Sequence, residues 1–96
     1  MWELTIRTDF SAAHQLRNYG GACERLHGHN WTVEITVRAM RLDERGIALD
    51  FKDLQSAAQE VLADLDHSLL NELAQFTVEN PSAENIARHI HRGMAA

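Results

Sequence analysis

Two segments of alternating apolar and polar residues most constrain the fold of this 96-residue chain. Apolar side chains occupy every even position of residues 2–12 except Thr8, and every odd position of residues 30–42 except Arg41. Alternation with a period of two is typical of a strand that buries one face. Since residues 15–26 between them hold Asn18, Gly20 and Gly21, residues that favour loops, we predict an antiparallel strand pair with a long connecting loop.

Histidines extend both patterns at the loop end of the predicted strand pair. His14 continues the even apolar set, and His27 and His29 share the odd parity of the second segment. Side chains two residues apart on a strand point the same way, so these imidazoles would meet at one end of the buried face. Nitrogen donors favour zinc over magnesium or calcium, and three of them leave a fourth coordination position open. The pattern therefore predicts a metal site.

The single cysteine, Cys23, lies four residues before His27. It could be a fourth zinc ligand, which would close the site and make it structural. It could instead stand beside an open site as a thiolate base or nucleophile that the nearby cation activates. A buried, inert cysteine is the ordinary alternative, but glycine, arginine and glutamate surround this one. The residues alone leave the first two roles open.

Two helices follow the strands. Asp50 is a suitable N-cap, and apolar residues recur at helical spacing over residues 54–65. Asn80-Pro81 is predicted to open the second helix, because asparagine caps and proline suits the first turn. The pair Asp66-His67 at the end of the first helix has two interpretations. The carboxylate could orient the imidazole for proton transfer, or His67 could simply complement the helix dipole, which the spacing alone favours.

Composition excludes several classes of function. The formal charge of −5, one lysine and scattered arginines argue against nucleic-acid binding, which needs clustered cations. No apolar run approaches the length of a membrane span, and the N-terminus lacks the pattern of a signal peptide. A lone cysteine cannot form an internal disulfide and fits a reducing compartment. We therefore expect a cytoplasmic protein that binds neither nucleic acid nor membrane.

The order strand, strand, helix, helix predicts an α+β fold. Residues 1–96 are expected to form a single domain. Two strands are a thin basis for a stable sheet, and a complete domain of this pattern would want roughly 10–20 more residues in strands. We expect that C-terminal strands are missing from this sequence, or that other subunits complete the sheet.

The chain resembles the 6-pyruvoyltetrahydropterin synthase superfamily, most closely its 6-carboxytetrahydropterin synthase branch, on five blocks in the right order. Together they span almost the whole chain and are far more specific than any one of them. The three-residue gap between Cys23 and His27 resembles the carboxy-pterin branch. The blocks are Phe10–His14, Cys23–His29, Leu49–Leu54, Leu65–Asn71 and Glu79–Glu84.

The resemblance implies a tunnelling fold, in which an antiparallel sheet carries two helices on one face and subunits close their sheets into a barrel, typically a homohexamer. It implies Zn²⁺ held by His14, His27 and His29. It also implies an enzyme of queuosine biosynthesis that converts 7,8-dihydroneopterin triphosphate to 6-carboxy-5,6,7,8-tetrahydropterin, acetaldehyde and triphosphate. The alternatives are 6-pyruvoyltetrahydropterin synthase activity on the same substrate, or a non-catalytic module that binds zinc or pterin.

The resemblance further implies roles for individual residues. Cys23 would act as the catalytic base, with His67, oriented by Asp66, as its relay partner. Ser82 would belong to the pterin-binding segment. The glutamate with which family members grip the pterin lies on a later strand, and neither Glu79 nor Glu84 is expected to replace it.

Overall fold

The computed structural model describes residues 1–18 and 25–95 and shows an α+β fold. Two 3-10 turns, Leu70–Glu72 and Ala74–Phe76, precede the last helix. The main elements, in chain order, are β1 (Trp2–His14), β2 (His27–Ala39), α1 (Phe51–Leu62), β3 (Ser68–Leu69) and α2 (Ala83–Ala95).

Strands β1 and β2 form the antiparallel pair that the alternation predicts. Their register runs from Trp2 opposite Ala39 to His14 opposite His27. Ile6 and Ile35 are directly paired and both are buried, so the even positions of β1 and the odd positions of β2 share the core face. The strands extend to the three histidines because these side chains continue the buried parity.

The two helices pack on this core face. Asp50 caps α1 as predicted, since its carboxylate accepts a hydrogen bond from the backbone N–H of Lys52 at 2.8 Å. Complete burial of an aliphatic side chain contributes about 1.5–3 kcal/mol, which makes this layer the main source of stability. The helical core residues are Leu54, Ala58 and Leu62 in α1 and Ile86 and Ile90 in α2.

Helix α2 begins later than the sequence predicts. It starts at Ala83, and the Ser82 hydroxyl, rather than Asn80, accepts a hydrogen bond from the Asn85 backbone N–H at 3.2 Å. Asn80 does not cap because its side-chain amide bonds to the backbone of Arg17 instead. The prediction of Asn80-Pro81 as the first turn is therefore wrong.

The sheet is mixed, whereas a purely antiparallel sheet was expected. Strand β3 pairs in parallel with β1, and the strand order is β2-β1-β3. Within the described residues the outer edge of β2 has no strand partner, and an apolar groove of about 1010 Å³ lies between β2 and the helices. In residues 1–18 and 25–95, no helix is long and apolar enough to cross a membrane.

Candidate metal centre

The loop end of the hairpin brings His14, His27 and His29 together. One ring nitrogen from each lies within 4.8 Å of the other two. The strand register explains the cluster, since His14 is opposite His27 and His29 follows two residues later on the same face. Ligands on a tetrahedral zinc lie about 3.4 Å apart at ordinary Zn–N distances, so small side-chain adjustments would bring all three nitrogens onto one ion.

Backbone carbonyls fix the tautomers of two of these rings. Nδ1 of His14 lies 2.6 Å from the Pro81 carbonyl oxygen, and Nδ1 of His27 lies 2.8 Å from that of Arg25. A carbonyl only accepts, so both Nδ1 atoms carry the hydrogen and a neutral ring then has its lone pair on Nε2. The two Nε2 atoms are 3.0 Å apart. Two lone pairs facing each other at this distance are favourable only with a cation or a proton between them.

Burial favours the neutral form of His14, which is the form that binds metals. Its pKa is lowered chiefly by burial, an effect that the hydrogen bond to Pro81 opposes and the neighbouring imidazoles of His27 and His29 reinforce. Since a metal binds the neutral imidazole, a lowered pKa reduces competition from protons.

Trp31 forms a wall of the cluster that the sequence analysis did not single out as a site residue. Its ring centroid lies 4.2 Å from that of His29 and 4.9 Å from that of His14. Its Nε1 atom is buried with no hydrogen-bond partner among the described residues. The signal was available, because Trp31 continues the odd parity two residues after His29.

A cleft of about 590 Å³ opens beside the cluster. His14, His29 and Trp31 line one side, and residues at the start of α2, including Ser82, line the other. The structure therefore places Ser82 across the cleft from the histidines, with its hydroxyl also bonded to the Asn85 backbone. A cleft with nitrogen donors on one wall and a helix N-terminus on the other suits a polar ligand that reaches the metal.

Asp66 and His67 lie on the opposite edge of β1 from β2. The Asp66 carboxylate accepts from the Ser11 backbone N–H at 3.0 Å and lies 2.9 Å from His67 Nδ1. The Ser11 N–H, and secondarily His67, hold the pKa of Asp66 below its ordinary value. The Ser11 carbonyl accepts from the His67 backbone N–H at 2.5 Å. The carboxylate therefore orients the imidazole.

His67 adopts a left-handed backbone conformation with φ of 57°. This region is unfavourable for a residue with a Cβ by about 1–2 kcal/mol. His67 and His29 both line a smaller cavity of about 320 Å³ beside the strand edge. His67 is thus held in this strained conformation by its bonds to Ser11 and Asp66. Cys23, the predicted base, lies outside the described residues.

Known proteins resemble this chain in both sequence and fold. The sequence matches the protein family described as "6-pyruvoyl tetrahydropterin synthase" over residues 3–96. A protein of Archaeoglobus fulgidus, provisionally named 6-carboxy-5,6,7,8-tetrahydropterin synthase, is 40% identical over 90 residues, which cover 94% of this chain and 73% of that relative. The Bacillus subtilis protein named 6-carboxy-5,6,7,8-tetrahydropterin synthase is 36% identical over 99% of this chain and 66% of its own length.

A solved structure supports the fold independently. The Caenorhabditis elegans 6-pyruvoyl tetrahydropterin synthase superposes with a TM-score of 0.88 at 24% sequence identity. The match covers 97% of this chain and 76% of the nematode chain. At this level of identity the likeness establishes the tunnelling fold alone.

Proposed function

This chain belongs to the 6-pyruvoyl tetrahydropterin synthase family, and on that premise we propose that it is a zinc-dependent 6-carboxy-5,6,7,8-tetrahydropterin synthase. The proposed reaction converts 7,8-dihydroneopterin triphosphate and water to 6-carboxytetrahydropterin, acetaldehyde and triphosphate. The relatives named 6-carboxy-5,6,7,8-tetrahydropterin synthase at 31–40% identity support this choice within the family. The proposal includes a cytoplasmic homohexamer that serves queuosine biosynthesis, with residues 1–96 as one domain.

While each Nδ1 is bonded to a backbone carbonyl, the Nε2 atoms of His14 and His27 lie 3.0 Å apart, and this approach is the observation that carries the metal site. His14 and His27 would hold zinc through these atoms, and His29 would supply the third nitrogen. Bound zinc supplies a Lewis acid that stabilises negative charge developing on a substrate oxygen. Three nitrogen donors and an adjoining cleft fit a catalytic zinc better than a closed structural one.

The proton steps fall to residues of this chain. The Cys23 thiolate would remove a proton from substrate carbon, and His67 would receive or return it. Asp66 accepts from His67 Nδ1–H, which leaves Nε2 as the exchanging atom and stabilises the imidazolium that forms. The strained backbone of His67 is consistent with a catalytic role rather than a stabilising one.

Substrate binding would use the cleft between the histidines and α2. Ser82 immediately precedes α2, where backbone N–H groups of the first turn and the hydroxyl can meet polar pterin atoms. Trp31 shields one side of the metal cluster from water, which strengthens electrostatic interactions at the reacting oxygen.

The decisive experiment incubates the purified, zinc-loaded protein with 7,8-dihydroneopterin triphosphate and identifies the products by mass spectrometry. Acetaldehyde together with the carboxy-pterin supports the proposal. A pyruvoyl-pterin without carbon loss would assign the activity that its Drosophila melanogaster relative is named for, 6-pyruvoyl tetrahydrobiopterin synthase. Zinc binding without turnover of this substrate would contradict the enzyme and leave a binding module. Native mass spectrometry of the same sample tests the hexamer.

A further inference from the structure

The backbone groups of residues that follow β1 remain hydrogen-bonded although the strand ends at His14. Beyond His14, the backbones of Gln15 and Arg17 each exchange two hydrogen bonds with an asparagine side chain. Residues two apart in an extended chain direct their N–H and C=O groups to the same edge. The two asparagines therefore prolong the edge along which β3 pairs with β1.

Each asparagine amide imitates one residue of a neighbouring strand. Asn71 Oδ1 accepts from the Gln15 N–H at 2.8 Å, and its Nδ2 donates to the Gln15 carbonyl at 2.9 Å. Asn80 makes the same two bonds to Arg17, also at 2.8 and 2.9 Å. An amide offers one acceptor and one donor side by side, which neither a carboxylate nor an apolar side chain can do.

Asn80 differs from Asn71 in the hydrogen bonding of its own backbone. Its carbonyl accepts from the Asn85 side chain at 2.9 Å, which ties it to the first turn of α2. The next residue, Pro81, is fully buried, and its carbonyl is the acceptor for His14 Nδ1 at 2.6 Å. The segment that presents this carbonyl is thus held between the extension of β1 and α2.

Arg17 reinforces the same segment from the other side. Its guanidinium donates to the backbone carbonyls of Phe76 at 2.8 Å and Glu79 at 3.2 Å. The chain leading into Asn80 is therefore bonded to Arg17 through both the backbone and the side chain of that arginine. Movement of Pro81 away from His14 would have to break these bonds together.

We infer that Asn80 is a positioning residue of the metal centre, which holds the Pro81 carbonyl against His14 Nδ1 and so keeps the His14 Nε2 lone pair free for the metal. If the carbonyl withdrew, the Nδ1 tautomer would lose its anchor and Nε2 could carry the hydrogen. That ring would then have to exchange its proton before it could bind. The link to zinc rests on the proposed function, whereas the link to the tautomer does not.

The test compares Asn80→Ala with Asn71→Ala, because both remove the same pair of backbone hydrogen bonds but only Asn80 adjoins Pro81. Long-range ¹H–¹⁵N NMR reports the His14 tautomer in the metal-free protein, and competition with a chelator reports zinc affinity. In Asn80→Ala we expect a rise of the Nε2–H form and a loss of zinc affinity of about ten- to a hundredfold, the range for outer-shell partners of metal ligands. Asn71→Ala should keep the wild-type tautomer and affinity.

A second pair of variants covers the case in which an alanine variant does not fold. Asn80→Asp and Asn71→Asp keep the side-chain size and the acceptor, and each replaces the amide donor to the Arg17 or Gln15 carbonyl with a charged oxygen. Equal effects of the Asn80 and Asn71 variants on tautomer and affinity would overturn the inference. Failure of the wild-type protein to bind zinc would instead contradict the proposed function, while the tautomer comparison would still decide the role of Asn80.

Discussion

His14 and His27 face each other across the end of the hairpin with their Nε2 atoms 3.0 Å apart, while each Nδ1 is bonded to a backbone carbonyl. The fold itself thereby selects the tautomer in which both rings present a lone pair to the same point. The conformational entropy of these rings is therefore lost when the chain folds and not when it binds a metal. The site is consequently preorganised for a cation, and the outer bonds of the histidines matter as much as the histidines themselves.

Metal binding should be visible through Trp31. In Trp2→Phe, which leaves Trp31 as the only tryptophan, we expect Co²⁺ to quench the fluorescence, because the indole lies 4.2 Å from His29 between ring centroids. Adding His27→Ala should weaken the titration by more than about a hundredfold, since it removes a ligand rather than an outer-shell partner. The exposed His91 of α2 provides the control, His91→Ala, which should titrate normally. Equal quenching in the His27 variant would exclude the proposed site.

Cys23→Ala should separate the two roles that the sequence allows for the thiol. If Cys23 is the base, zinc content stays at the wild-type level and turnover falls by about 10²- to 10⁴-fold, the usual contribution of general base catalysis. Metal analysis and product formation on the same preparation measure both quantities. Loss of zinc in this variant would make the cysteine a ligand and the open-site argument wrong.

Glycine at position 67 should give a more stable protein than alanine, while either substitution removes activity. Glycine adopts the observed φ of 57° without penalty, so His67→Gly should raise the free energy of unfolding relative to His67→Ala by about 1 kcal/mol. Both variants lack the imidazole and should lose turnover equally. Chemical denaturation and a turnover assay measure the two effects, and equal stability of the two variants would show that the backbone here is not strained.

Asp66 should give the fold an acid-sensitive contribution to stability. Because its pKa is lower in the folded chain than the ordinary 3.8, the unfolded state binds more protons as the pH falls towards and below that value. The contribution is thus complete above the unfolded pKa and is lost as the pH falls through the folded one. Asp66→Asn should flatten this part of the curve of unfolding free energy against pH. A slope in Asp66→Asn as steep as that of the wild type would contradict this contribution.

Much of the fold could be predicted from local pattern, and the exceptions have physical causes. The parity of β1 and β2 put His14 and His27 on one face because side-chain direction follows the pleat. Strand β3 has only two residues, too few to show an alternation. The start of α2 was misplaced because the long-range bonds of Asn80 outweigh its local capping preference.

The candidate site could likewise be predicted only in part from the sequence. Spacing brought the three histidines together, but it could not reveal that the Pro81 carbonyl orients His14, since 67 residues separate the bonded pair. Nor could spacing reveal the contact between Asp66 and His67. Their 2.9 Å contact and the shared bonds to Ser11 appear only when β3 brings the end of α1 beside β1.

The register of the hairpin has a consequence for the order of folding. His14 and His27 are its last pair, and the 12 residues between them form a connection far longer than a two-residue hairpin turn. Closing a longer loop costs more chain entropy, in proportion to the logarithm of its length. An ion bound by both histidines would hold the two strand ends together, as a tight turn does in a short hairpin. The proposed catalytic metal site would then also be the place where the pairing of β1 and β2 begins during folding.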